Sequence, residues 1–185
     1  MADTDRVLLG ITGSVAAFKG VALASLMSGE GCEVDCILSD GGSRFVTPWQ
    51  VSGVTGRPCR TELFDRTDVA VSPHLELTRP ARLMVVAPAS ANFLAGLACG
   101  FAGQLLTAAA LAFEGPLVVA PAMNHRMWTA KATRENVERL KGRGVMFVGP
   151  VEGRLGCGEE GPGRMAEPQA VWAECQGLLA RSGKA

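Results

Sequence analysis

Short apolar runs alternate with segments in which apolar residues recur every three or four positions, and this rhythm repeats along the chain. Val7-Leu8-Leu9-Gly10-Ile11 is the first run; it ends in Thr12-Gly13-Ser14, and Phe18, Val21, Ala22 and Leu26 then follow at helical spacing between Val15 and Met27. Val34 to Leu38 repeats the strand signal and leads into Ser39-Asp40-Gly41-Gly42-Ser43. Leu83 to Ala87 runs into Pro88-Ala89-Ser90-Ala91-Asn92 and a predicted helix pair from Phe93 to Ala112. Leu117 to Ala120 runs into Pro121-Ala122-Met123-Asn124, and a helix from Thr133 to Lys141 precedes a fifth strand, Val145 to Val148. Strands without polar alternation are expected to be buried on both faces, as in a parallel sheet whose crossover helices cover either side. The pattern therefore predicts an α/β, doubly wound parallel sheet. Ligands of such sheets bind beyond the carboxyl ends of the strands, at the point where the winding reverses, and all four small polar segments fall at that edge. After Val148 the pattern breaks into Gly149-Pro150 and a Gly-rich stretch from Gly153 to Gly163, followed by a last helix from Pro168 to Ala180. The irregular stretch, residues 152–166, is expected to be a lid over the ligand edge.

Composition narrows the function classes. The 185 residues fit one domain, 1–185, with no linker or charge run dividing them. Eighteen basic residues balance eighteen acidic ones, so the broad positive field of a nucleic-acid or anionic-membrane binder is absent. The polar, acidic start Met1-Ala2-Asp3-Thr4-Asp5 is unlike a secretory signal, and no apolar run approaches the roughly 20 residues that span a bilayer. A cytoplasmic protein without a membrane segment is expected. The six cysteines form no C-x-x-C pair, and His74 and His125 stand far from them in sequence, so no metal site is expected.

The first turn excludes two nucleotide signatures. Gly10-Ile11-Thr12-Gly13-Ser14 does not fit G-x-G-x-x-G, and Gly13 to Gly20 lacks the second Gly and the Ser/Thr of a P-loop. A Gly-Ser pair at a helix N-terminus remains; it suits a phosphate, and it suits a simple turn with an N-cap equally well. Pro88-Ala89-Ser90-Ala91-Asn92 and Pro121-Ala122-Met123-Asn124-His125-Arg126-Met127-Trp128 say more. Small residues let backbone amides approach a flat ring, while Asn supplies directed hydrogen bonds.

Together with Gly13-Ser14-Val15-Ala16-Ala17, His74-Leu75-Glu76-Leu77, Gly156-Cys157-Gly158 and Gly163-Arg164-Met165, these segments resemble the flavin-containing cysteine decarboxylases from about Val7 to Pro168. The resemblance is strongest to those members that act on 4′-phosphopantothenoylcysteine in coenzyme A biosynthesis. It implies a flavodoxin-like (Rossmann-type) fold, FMN as cofactor and a homo-oligomer, trimer or dodecamer, with the site between subunits. It further implies that Gly13, Ser14, Val15, Ser39, Ser90, Ala91, Asn92 and Ala122 line the FMN site, with the serines mainly at the phosphate. Phe93 stands where relatives often carry Thr, which removes a hydroxyl while its backbone amide is expected to stay available to the flavin.

By the same resemblance His74 is the active-site base, Asn124 holds the substrate carboxylate, and Met127 and Trp128 shape the adjoining wall. The implied reaction oxidises CH2–SH to a thioaldehyde as FMN is reduced, loses CO2 to an enethiol, and ends in a saturated thiol once reduced FMN returns a hydride and Cys157 supplies a proton. A thiol with the usual pKa of about 8.5 is protonated at neutral pH, as a donor must be. The Gly156-Cys157-Gly158 motif favours this outcome over peptide decarboxylases of lantibiotic-type synthesis, which stop at the enethiol. Retention of His74, Asn124 and Cys157 disfavours a non-catalytic flavin-binding regulator. Cys32, Cys36, Cys59, Cys99 and Cys175 read as core or free thiols. Arg79 and Arg164 lie in the matched segments and are candidates for the substrate's phosphate. Pro80-Ala81-Arg82 departs from the aromatic and Ala-Asp usual in relatives.

Overall fold

The computed structural model describes residues 4–64, 72–154, 158 and 160–182. Strand β1 (Arg6–Ile11) turns into helix α1 (Ala17–Gly29), which leads to β2 (Glu33–Leu38) and, through a 3-10 turn at Gly42–Arg44, to α2 (Pro48–Thr55). Thr47 caps α2 by accepting from the Gln50 N–H, Pro48 supplies the fixed φ of a first helical position, and left-handed Gly56 ends the helix. A two-residue strand β3 (Cys59–Arg60) and helix α3 (Pro73–Thr78) follow. Next come β4 (Leu83–Ala89), α4 (Ala91–Cys99), α5 (Leu105–Ala112) and β5 (Leu117–Pro121). The chain closes with α6 (His125–Thr129), α7 (Lys131–Gly142), β6 (Met146–Phe147), β7 (Val151–Arg154), β8 (Glu160–Arg164) and α8 (Pro168–Ser182).

Among the described residues, strands β1 to β6 form one sheet in the order β3-β2-β1-β4-β5-β6, with every pair parallel. The fold is thus the flavodoxin-like, doubly wound sheet expected. Alternate strand residues feed two cores. Leu9, Ile11, Leu38 and Val85 pack with α1, α2 and α8 on one face; Leu8, Ile37, Met84 and Val119 pack with α4, α5 and α7 on the other. One buried charge interrupts the apolar β2: the Asp35 carboxylate accepts from Arg6 Nε and Arg57 Nε, each at 2.7 Å. A buried carboxylate with two guanidinium partners is satisfied.

The structure departs from the sequence pattern in three places. The Gly-rich stretch is not irregular at its base: β7 and β8 pair antiparallel, with Val151 opposite Arg164 and Arg154 opposite Glu160. Glycines at 153 and 161 take φ of 150° and 153°, so a strand built from them carries no hydrophobic alternation to read. The fifth predicted strand shrinks to Met146–Phe147 at the sheet edge. Helices α2, α3 and α6 are too short to show a helical period. The unusual Arg82 also finds its reason, since it forms an ion pair with Asp5 and donates from Nη2 to the Leu179 carbonyl at 3.2 Å, tying β4 to α8. No described helix is long and apolar enough to cross a membrane.

Helix α1 lies on β4 without room for a side chain at Gly20, where a Cβ would come 2.4 Å from the Ala87 carbonyl oxygen. Alanine gains about 1 kcal/mol in helix propensity over glycine, but overpacking against a backbone atom costs about 1–3 kcal/mol. Gly20→Ala is therefore expected to lower stability, by up to about 2 kcal/mol. Gly29→Ala, where nothing lies within 4 Å of the added Cβ, should instead raise it by up to about 1 kcal/mol. Urea unfolding midpoints of the two variants check the opposite signs.

Candidate cofactor and substrate site

Chain winding reverses between β1 and β4, so the loops leaving those strands diverge and a crevice opens between them. Buried Thr12 seals its floor. The Thr12 N–H and Oγ1 both donate to the Pro88 carbonyl, at 3.2 and 2.8 Å, and Oγ1 accepts from the Ser90 N–H at 2.8 Å. On the other side, the Ser39 N–H donates to the Ile11 carbonyl at 3.1 Å, and Ser39 Oγ accepts from the Gly42 N–H at 3.1 Å. Glycine is required at 42, where a Cβ would fall 2.3 Å from the Ile11 oxygen, and the fit is tight at 13, where one would meet the Gly41 backbone at 3.0 Å. Ser90 is the N-cap of α4, its Oγ accepting from the Phe93 N–H at 3.3 Å. Asn124 is the N-cap of α6, its Oδ1 accepting from the Arg126 N–H at 2.8 Å.

These turns enclose a cleft of about 800 Å³. Gly13, Ser14 and Val15 line it from the β1–α1 turn, Ser39 and Gly41 from the end of β2, and Ser90, Ala91 and Asn92 from the start of α4. Ala122, Met123, Asn124 and Met127 line the opposite wall, and Gly163, Arg164 and Met165 the end contributed by β8. Strand β8 rests on that wall: the Met123 N–H donates to the Gly163 carbonyl at 3.0 Å, and a Cβ on Gly163 would lie 2.4 Å from the Met123 oxygen. The turn before α1 suits a phosphate, since the Ser14 and Val15 N–H groups meet no acceptor among the described residues. Alanines at 91 and 122 leave a smooth apolar wall of the kind a flat ring needs. The residues present fit FMN.

Among the described lining residues the ionisable ones are Lys19 and Arg164, both cationic. Lys19 Nζ, largely buried, donates to the Met165 carbonyl at 3.2 Å and to Glu167 Oε1 at 2.9 Å, fastening α1 to the exit of β8. The Lys19 hydrogen bond, with its charge and that of Arg164, holds the Glu167 carboxyl below the usual range.

The cleft thus brings together Gly13, Ser14, Val15, Ser39, Ser90, Ala91, Asn92, Ala122, Asn124 and Met127 of the residues singled out in the sequence. Trp128 is buried behind Met127, with the Arg134 guanidinium over its ring at 5.9 Å. Phe93 does not line the cleft. Its side chain is buried in the core under α4, and its amide, expected to be open to the flavin, is taken by Ser90 Oγ. His74 lies elsewhere, on α3, beside a second cavity of about 350 Å³ lined with Phe64, Ser72 and Leu111. Its Nδ1 is buried without a hydrogen-bond partner among the described residues. Cys157 lies outside the described residues. Of the other thiols, Cys36 and Cys175 are buried, and burial pushes Cys59 up to about 11 and Cys175 up to about 12, which makes them unreactive. Sequence reasoning gave no role to Thr12, Lys19 or Gln104. Thr12 directly follows a buried strand at the ligand edge, and that placement is the one signal that marks it.

Comparison with known proteins gives concordant results. The sequence profile of the Flavoprotein family matches residues 1–180. The coenzyme A biosynthesis bifunctional protein CoaBC of Vibrio vulnificus is 39% identical over 171 residues, 92% of this chain and 43% of that protein. The chain therefore spans less than half the length of this curated relative. A mutant PPC decarboxylase solved with pantothenoylaminoethenethiol superposes with a TM-score of 0.86 at 30% identity, covering 96% of this chain and 100% of that one. The FMN-dependent cysteine decarboxylase SpaF superposes with a TM-score of 0.83 at 30% identity, covering 97% of each chain.

Thr12→Val removes a hydroxyl that donates once and accepts once, and leaves the Ser90 N–H without this partner. The expected loss is about 2–3 kcal/mol of stability, with flavin affinity weakened at least about tenfold, whereas Thr12→Ser retains both. Urea unfolding and flavin fluorescence titration read the two effects.

Proposed function

The chain belongs to the flavoprotein family, and from that premise we propose that it binds FMN and decarboxylates 4′-phosphopantothenoylcysteine to 4′-phosphopantetheine in coenzyme A biosynthesis. The observation that carries this reading is the meeting of Asn124 with the Gly13–Val15 turn and the Ala91 and Ala122 wall in one cleft. FMN, when bound, supplies a two-electron acceptor for the CH2–SH carbon and returns the electrons after CO2 has left.

The chain's own residues do the rest. Asn124, fixed by its cap on α6, binds the substrate carboxylate through a neutral amide. Neutrality matters, because a cation would stabilise the carboxylate and hold CO2 back. Oxidation of the thiol carbon makes the carboxylate β to C=S, so its departure leaves a conjugated enethiol. Met127 bounds the same wall. His74 takes the proton from the substrate. Because it faces a different cavity of its own subunit, His74 is proposed to serve the cleft of a neighbour in a homo-oligomer, trimer or dodecamer. Exposed Phe64 and Leu111 beside it supply apolar surface for that association. Cys157, in the segment joining β7 to β8, returns a proton to the enethiol, with this hairpin acting as the substrate lid of a single flavoprotein domain. The substrate is a small polar metabolite, which fits a cytoplasmic enzyme.

A second reading, decarboxylation of a peptide's C-terminal cysteine, draws on the likeness to SpaF. Incubating the flavin-loaded protein with 4′-phosphopantothenoylcysteine, and separately with a peptide ending in Cys, separates the two by product mass. The pantothenoyl compound is expected to lose CO2 and emerge saturated. Reaction of the peptide alone would favour the second reading, and reaction of neither would contradict both. Asn124→Asp preserves the cap but sets a negative charge against the substrate carboxylate. Turnover should fall by at least about a hundredfold while flavin content holds.

A further inference from the structure

A substrate bearing a phosphate needs a cation, and the described lining of the cleft offers two. Lys19 is already committed to Met165 and Glu167. Arg164 is held at one end only: Nη2 donates to Glu167 Oε1 at 2.5 Å, and no other bond from this guanidinium is formed among the described residues. Its side chain lies across β7, where a Cβ on Gly153 would come 3.5 Å from Cδ and from Nη1. Glu167 carries one negative charge against Lys19 and Arg164, so these three groups keep a net charge of about one positive unit, with no acid among the described lining residues to oppose it.

The flavin's phosphate has its own cradle at the turn before α1, on a different element, which leaves Arg164 for a second anion. Arg79, the other cation of the matched segments, caps the C-terminal end of the helix that carries His74 and is not part of this cleft's lining within one subunit. We propose that Arg164 is the residue that recognises the phosphoryl group of the substrate, with Glu167 and Lys19 as positioning residues that fix its fork. The inference rests on the decarboxylase reading above and adds to it the reason for selecting a phosphorylated substrate over a peptide. A guanidinium held at one edge presents its remaining N–H groups in a plane that matches phosphate oxygens, an arrangement lysine cannot reproduce.

The test compares phosphorylated with dephosphorylated ligands. Calorimetry on the flavin-loaded protein uses 4′-phosphopantothenate and pantothenate as unreactive probes, and kinetics uses 4′-phosphopantothenoylcysteine and pantothenoylcysteine. The wild-type protein is expected to prefer the phosphorylated member of each pair by about ten- to a hundredfold, and Arg164→Met to bring both ratios to within about threefold of one. Arg164→Lys should keep part of the preference. Glu167→Gln, which loosens the fork without removing it, should give an intermediate ratio and serves as the second variant if Arg164→Met fails to fold. Undiminished preference in Arg164→Met overturns the assignment, as does a loss confined to the affinity for FMN relative to riboflavin. Both results leave the decarboxylase reading standing, whereas a wild-type protein that converts only the Cys-terminated peptide removes the reading itself.

Discussion

The site depends on how closely the ends of β1, β2 and β4 are drawn together. One buried hydroxyl, that of Thr12, joins β1 to the Pro88 and Ser90 backbone, and the Ile11 carbonyl receives the Ser39 amide from β2. Those bonds hold three turns within hydrogen-bonding distance, which is why glycine alone fits at 42 and why the fit is tight at 13. Backbone amides placed this way are rigid and need no reorganisation to meet a phosphate. The same closeness positions Ser90 to cap α4 and so aims that helix's N-terminus at the cleft.

The opposite wall is built on a second backbone contact, between β8 and the segment before α6. Gly163 sits directly on the Met123 carbonyl, so the hairpin is seated against the residue next to Asn124 rather than standing free. Lys19 then locks the hairpin's exit to α1 from below. The wall that carries Asn124 and the arm that carries Arg164 are therefore parts of one clamped unit. This coupling explains how a segment rich in glycine can still hold a fixed geometry at the cleft.

Much of this was legible in the sequence because buried parallel strands announce themselves. Val7 to Ile11, Leu83 to Ala87 and Leu117 to Ala120 are apolar without alternation, and the small residues after each could only lie at the ligand edge. What stayed hidden was set by long-range backbone contacts. Phe93 looked like a cofactor neighbour from its position beside Asn92, but α4 rotates it into the core and Ser90 takes its amide. The β7–β8 hairpin has the composition of a loop, since its glycines serve close approach rather than periodicity. His74 was singled out by resemblance alone, and within one subunit it stands apart from the cleft, beside a second cavity, a placement that no local pattern encodes. Arg82 lost its oddity once Asp5 and Leu179 were seen beside it.

Internal redox recycling by the flavin is read most directly by single-turnover mixing in the absence of oxygen. When the flavin-loaded protein meets 4′-phosphopantothenoylcysteine, the visible flavin absorbance should fall as the thiol carbon is oxidised. It should then recover in step with the appearance of the saturated product. Release of CO2 with no change in that absorbance would contradict such recycling, because it would show that the carboxylate leaves without prior oxidation of the thiol carbon.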